Sequence, residues 1–198
     1  MDVFLKTDRL ILRRFSADDI DLLVELDADP EVMRYLSGGQ ATPRDEIAHE
    51  ILPHWLGYYD RFEGYGFWAA EERTTGTFVG WFHLRPQNGC PADEPELGYR
   101  LRRSAWGSGF GTEGSRALLD KAFGELGATR IVASTYQDNL ASRRVMEKVG
   151  MRLVRTFRFT PDELEFHGIR QETIDEHFPG DEVEYAITRD EWASRRHQ

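Results

Sequence analysis

The sequence predicts a single mixed α/β (α+β) domain, and three observations carry this. At 198 residues the chain has the length of one domain, residues 1–198. Its element signals run strand, helices, a run of strands, then strand, helix, strand, helix, strand, strand. That order holds more hairpin character than a doubly wound parallel sheet allows. Third, a glycine-rich loop, Trp106-Gly107-Ser108-Gly109-Phe110-Gly111-Thr112-Glu113, stands between a strand and a helix.

Leu10-Ile11-Leu12 between charges reads as the first strand. Ser16-Ala17-Asp18-Asp19 is patterned as a capping box with Asp in place of Glu, opening a helix to about Ala28. Asp29-Pro30 restarts a short helix to about Tyr35. Pro43 opens another, with Ile47, Ile51, Trp55 and Tyr58 or Tyr59 on one side, which Pro53 should kink or divide. Gly66–Glu71 and Thr77–Leu84 form a hairpin around Arg73-Thr74-Thr75-Gly76. Residues 87–95 are a loop, and Glu96–Leu101 alternates like a half-buried strand. Glu113–Leu126 is a helix with an apolar stripe of Leu118, Leu119, Ala122, Phe123 and Leu126, ended by Gly127. Arg130–Thr135 is a strand, and Asn139 caps a helix to Val149 that Gly150 stops. Met151–Phe159 and Val183–Thr188 are the last strands, before a short helix near Trp192.

The 40% apolar and 12% aromatic fractions are those of a globular chain. No apolar run approaches the ~18 residues of a membrane span, and residues 1–6 lack the pattern of a secretory signal. The lone Cys90 excludes an internal disulfide framework and fits a reducing compartment, so a cytoplasmic location is expected. A net charge of −10 argues against nonspecific nucleic-acid binding. The charge is uneven, however. Residues 1–99 carry nine basic and nineteen acidic side chains, residues 100–158 twelve and five, and residues 159–198 four and eleven. The six histidines show no ligand spacing with Cys or carboxylates, so no metal site is expected.

The glycine loop is the most specific local feature. Glycines allow a tight turn and clear side chains from a ligand's path. The helix that follows offers unpaired N–H groups and partial positive charge, together a cradle for phosphate oxygens. Gly109, Gly111 and Gly114 formally match a dinucleotide fingerprint, with Asp138 following. Three things argue against a nicotinamide-binding reading. The strand before the loop alternates and carries Glu96 and Arg100; residues 102–106 separate it from Gly107; and no strand–helix–strand unit precedes it. A nucleoside-triphosphate loop fails because no Gly-Lys-Ser/Thr follows.

Gly107-Ser108-Gly109-Phe110-Gly111-Thr112-Glu113 resembles the acyl-CoA pyrophosphate loop of the GNAT acetyltransferases, most closely the RimJ/RimL-like branch. A second block, residues 139–151, is similar to that branch's Asn-x-x-Ser-x-x-Val-x-Glu-Lys-x-Gly-Phe signature, with Met151 in place of the aromatic. The opening Thr7-Asp8-Arg9-Leu10-Ile11-Leu12-Arg13 and the closing residues 183–192 also resemble its ends, so the resemblance spans about residues 6–192. It implies a central, mostly antiparallel twisted sheet of about seven strands with flanking helices, in which a splayed strand pair holds acyl-CoA. It implies acetyl-CoA as cosubstrate, an amine acceptor, direct attack without a covalent enzyme intermediate, and a homodimer as a common assembly.

Residue by residue, the resemblance implies that the pyrophosphate lies on the amides of Ser108, Gly109, Phe110, Gly111 and Thr112. The pantetheine arm then runs along Tyr99-Arg100-Leu101, with a backbone amide near Leu101 facing the thioester carbonyl. Asn139 bonds the arm and also suits a helix cap. Ser142 lies where the branch places a hydroxyl near the sulfur. The Tyr that other members carry seven residues after the Asn is Met146 here. Glu96 is the expected base and Glu94 its understudy, while the Glu other members place before the Asn is Ser134 here. Ser108 replaces the loop's usual basic residue, so Arg102, Arg103, Arg143 or Arg144 should reach the phosphates. Residues 160–182 form an acidic insertion before the last strand, and residues 160–185 hold nine acids and one Arg. That predicts a wall attracting a cationic amine: a protein N-terminus, an aminoglycoside or another small amine. Trp55, Tyr58, Tyr59, Phe67 and Trp68 are available to the same cleft, with most expected in the core. A non-catalytic acyl-CoA-binding or sensing module is the other reading, in which Glu96 and Ser142 would be dispensable.

Overall fold

The computed structural model describes residues 2–86, 91, 93–158 and 180–195. Two strands, β1 (Val3–Lys6) and β2 (Leu10–Arg14), lead through a 3-10 turn at Ala17–Asp19 into helices α1 (Ile20–Asp27) and α2 (Pro30–Ser37). A broken helical stretch follows: α3 (Arg44–Glu46), a π-turn at Ile47–Ile51, α4 (Leu52–Leu56) and α5 (Tyr58–Arg61). Then come β3 (Gly66–Glu72), β4 (Phe78–Arg85), β5 (Glu96–Leu101), α6 (Phe110–Gly124) and β6 (Arg130–Tyr136). The chain closes with α7 (Leu140–Lys148), β7 (Arg152–Phe157), β8 (Glu182–Thr188) and α8 (Arg189–Arg195). The strands form one sheet in the order β1-β2-β3-β4-β5-β6-β8-β7, in which only β5 and β6 are parallel.

The sheet thus has eight strands where about seven were expected. The added one is β1, a short edge strand of half-exposed and exposed residues. It is fixed to the sheet by Phe4, whose ring stacks 4.1 Å from that of Trp68. Four residues with no turn signal before them give periodicity too little to work on.

Side chains alternate across each strand, so the sheet buries two cores. On the α6 face lie Leu10, Leu12, Trp68, Phe82, Leu84, Leu97, Leu101, Leu118, Leu119 and Ile131. On the other face, under α1 to α5, lie Phe15, Leu23, Leu26, Ile47, Leu52, Trp55, Phe67 and Trp81. Of the aromatic residues considered for a cleft, Trp55, Tyr58, Phe67 and Trp68 are buried in these cores. Trp55 lies flat on Phe67 at 4.3 Å.

Two local features follow from sequence. Asp19 completes the capping box by accepting from the Ser16 N–H at 2.8 Å, and it also takes both Nη groups of Arg13 at 2.8 Å. Burial alone would raise its carboxyl, but these bonds outweigh it and hold Asp19 below its ordinary range. Pro53 lacks an N–H, and the helix meets it through the π-turn, in which Leu52 donates to the Ile47 carbonyl.

Candidate active site

β5 and β6 touch at one register position, Glu96 opposite Val132, where the Val132 N–H donates to the Pro95 carbonyl at 3.2 Å. No register pair joins them beyond it. β5 stays paired with β4, and β6 with β8 out to Tyr136 opposite Glu182. The sheet therefore splits into a V that opens toward the C-terminal ends of both strands.

At the end of the β5 arm stands the glycine loop. Gly107 (φ 72°) and Gly109 (φ 85°) take left-handed conformations, and Gly109 is the N-cap of α6. The Glu113 N–H returns to the Gly109 carbonyl at 3.0 Å, so the N–H groups of Phe110, Gly111 and Thr112 are those a helix start leaves unpaired. Gly114 answers a packing need: a Cβ there would lie 2.3 Å from the Phe82 ring. That accounts for the third glycine of the formal dinucleotide match.

The loop is pinned from the N-terminus of the chain. Arg9 donates to the Ser108 carbonyl at 2.9 Å and to Glu113 at 2.7 Å, and its guanidinium lies 4.7 Å from the centre of the Phe110 ring. Thr7 adds a hydroxyl donor to Glu113 at 2.5 Å. Burial raises the Glu113 carboxyl, but Thr7 and Arg9 outweigh it and hold it below its ordinary value. Sequence reading missed Arg9 as part of this site. The signal available was an Arg in the opening block and a Glu just inside the helix, about a hundred positions apart.

On the β6 arm, Asn139 accepts from the Ser142 N–H at 3.2 Å and donates to the Thr135 hydroxyl at 3.1 Å. Ser142 hydrogen-bonds the hydroxyl of Tyr99 on β5. Burial pushes that hydroxyl up, and Ser142 partly offsets the shift. Leu101 is buried in the core beside it. Arg143 donates to the Tyr185 hydroxyl at 3.1 Å and the Gln137 carbonyl at 2.9 Å, bracing α7 against β8. Arg102 is held by Glu25, and Arg103 lies 3.2 Å from Asp29. Among the described residues Arg144 makes no ion pair, and it is exposed. Tyr35 of α2 leans over from the other side, donating to the Asp138 carbonyl at 3.2 Å and stacking 5.9 Å from Tyr136.

Glu96 and Gly98 face the α1–α5 side, opposite Leu97 and Tyr99, as strand alternation requires. The Glu96 carboxylate accepts from Arg85 at 2.7 Å, and His83 Nε2 stands 3.8 Å away. Glu94 pairs with Arg130 at 3.0 Å. A side chain comes close at Gly98: a Cβ there would lie 2.5 Å from His83 Nε2. Glu182, at the open end of β8, is a second carboxyl on this side, and nothing in its own segment of sequence marks it. Burial pushes it up to about 7. Cys90 and most of the acidic insertion, residues 160–179, lie outside the described residues. Among the described residues no group of three or more His, Cys, Asp or Glu is placed to hold a metal, and no helix is long and apolar enough to cross a membrane.

Comparison with known proteins gives this geometry its context. Residues 9–152 match the acetyltransferase (GNAT) domain family. FsC-acetyl coenzyme A-N(2)-transacetylase of Aspergillus fumigatus is 32% identical over 194 residues, covering 95% of this chain and 77% of that protein. YkkB of Bacillus subtilis strain 168 is 36% identical over 155 residues, 78% of this chain and 88% of that one. In fold, the chain is similar to the RimL ribosomal alpha-N-protein acetyltransferase solved with coenzyme A, with a TM-score of 0.71 at 18% identity, covering 94% of this chain and 98% of that one. With 144 of its residues inside the family's domain, a sheet that splits between β5 and β6, and a glycine loop at the mouth of the split, the chain belongs to the GNAT family of acetyl-CoA-dependent N-acetyltransferases.

Proposed function

We propose that the protein moves an acetyl group from acetyl-CoA to a primary amine by direct attack within a ternary complex. The observation that carries this is the single β5–β6 register pair at Glu96 and Val132, which leaves a V with Glu96 at its closed end and the glycine loop at its mouth. In this reading the pyrophosphate rests on the amides of Ser108 to Thr112, at the positive end of α6. The pantetheine arm runs back along β5 and pairs with backbone groups of Tyr99 and Leu101. At about 3.3 Å per residue, Leu101 to Glu96 spans about 17 Å. The thioester carbonyl then faces the backbone amide near Leu101, on the strand whose closed end carries Glu96.

The amine arrives as an ammonium ion, drawn by the carboxylates of this face. It must lose a proton before its lone pair can attack. Glu96 receives that proton through water. The nitrogen bonds to the thioester carbon, and the carbon–sulfur bond breaks. The second amine proton reaches the leaving thiolate through the hydroxyl of Ser142, backed by Tyr99, which gives up one proton as it takes another, and the proton on Glu96 goes to solvent. Asn139 bonds the arm with the amide hydrogen that Thr135 does not use. Arg103 and Arg144 supply positive charge to the phosphates, with Arg143 holding α7 in place beneath them. The acceptor is a cationic amine, and the name of the Aspergillus relative, which places acetyl on an N(2) nitrogen, supports transfer to nitrogen.

Free-thiol release on mixing the protein with acetyl-CoA and a panel of amines tests the proposal. Release that depends on one class of amine is expected. Tight CoA binding without release for any amine would instead favour the non-catalytic acyl-CoA-binding module.

A further inference from the structure

His83 lies on β4 directly across from Gly98 on β5. It is 8% exposed, and neither ring nitrogen has a hydrogen-bond partner among the described residues. Buried polar atoms without partners are scarce in folded proteins, and each one asks for a reason. Here they are concentrated: among the described residues, five of the seven such side-chain atoms belong to Trp81, His83, Arg85 and Arg100, on this one patch of β4 and β5. The ring is also deliberately seated. Trp81 stacks on it at 5.7 Å, Phe67 meets it edge-on at 5.1 Å, and any side chain at residue 98 would strike Nε2. What Nε2 faces is Glu96 Oε2, at 3.8 Å, just beyond hydrogen-bond length.

We infer that His83 is a positioning residue for the proposed base, its Nε2 accepting the Glu96 carboxyl O–H once Glu96 has taken the amine proton. The inference rests on the reading of Glu96 as base. Arg85 donates to this carboxylate at 2.7 Å and has no lone pair with which to accept a carboxyl hydrogen. An imidazole acceptor gives the protonated form a bond of its own. The proton moves from the ammonium nitrogen to Glu96 Oε2, stays covalently there, and is shared with Nε2 as a hydrogen bond until it leaves for solvent.

The surroundings keep the ring an acceptor. Burial, then Arg85 and Arg100, lower the His83 imidazole well below its ordinary value. The charged and titratable groups around this patch are Arg85 on β4, Glu96 and Arg100 on β5, Asp27 on α1 against Arg100, and His54 on α4 with Arg61 on α5. His54 is itself lowered, by burial first and then by Arg61 and Arg85, so it adds no competing charge at neutral pH.

The test is the pH profile of kcat/KM for thiol release in the full chain, with acetyl-CoA affinity measured alongside. His83→Phe removes the acceptor, and its acidic limb is expected to move down by roughly half to one pH unit, with kcat/KM at neutral pH falling about fivefold. Acetyl-CoA affinity should stay within about twofold. His83→Gln keeps a carbonyl acceptor and should recover most of the wild-type profile. Gly98→Ala should push the ring away and reproduce His83→Phe. A His83→Phe profile with an unmoved acidic limb, or a Gln variant that behaves like Phe, overturns the inference. Glu96→Gln separates the two levels: full activity there removes the base reading and this inference with it. Loss there, with an unmoved limb in His83→Phe, removes the inference alone.

Discussion

At the glycine loop the atoms proposed to act are backbone N–H groups, whereas on the Glu96 face they are side chains drawn from several elements. The loop's geometry comes from its own residues, Gly107 and Gly109, and is then locked by Arg9, Thr7 and Glu113. The other face gathers Glu96, Arg85, His83, Arg100 and Asp27 from β4, β5 and α1. Its polar atoms are less well satisfied than those at the loop. In the proposed reading, main chain holds the cofactor and so tolerates substitution, while side chains whose charges are set by neighbours serve the chemistry and the acceptor.

The comparison can be broken at either end. The largest effect is expected at the loop itself. Gly109→Val forces a β-branched residue into a φ of 85°, and acetyl-CoA affinity should fall roughly 10- to 100-fold in a calorimetric titration. Arg9→Ala keeps the glycines but releases their brace. Its acetyl-CoA KM should rise about three- to tenfold with kcat nearly unchanged, which steady-state kinetics reads directly. Asn139→Ala removes the cap of α7 at a cost of about 1 kcal/mol, a melting shift of roughly 2–4 °C.

The smallest effect sharpens the other side, and it depends on pH. Glu182 titrates near 7 when folded, above its ordinary value of 4.5. The folded state therefore prefers the protonated carboxyl. Below pH 4.5 the group is neutral in both states and costs nothing; the penalty grows from there to about 7 and is complete above it. Glu182→Gln should leave the melting temperature unchanged near pH 4 and raise it near pH 8.

The difference between the two regions also explains what sequence could disclose. The strand order, the hairpin, the helix stop at Gly150 and the cap at Asn139 are local signals, and the structure follows them. The loop was legible because backbone chemistry leaves a residue signature, three glycines before a helix. Arg9, His83 and Glu182 were not. Each is an ordinary residue in its own segment, and its significance lies in a neighbour about 10 to 100 positions away: Glu113 for Arg9, Gly98 and Glu96 for His83, Tyr136 for Glu182. Gly98 shows the limit well. A glycine inside a strand signals a bulge or a close approach, but only the folded sheet reveals that the approaching group is an imidazole.

The central claim is that backbone groups of the V and of the glycine loop hold acyl-CoA. Amide hydrogen exchange with and without CoA tests it most directly. The account predicts CoA-dependent protection at residues 99–101 and 108–112, with β1 to β3 unchanged. Binding confirmed by thermal shift, with those amides left unprotected, would contradict it.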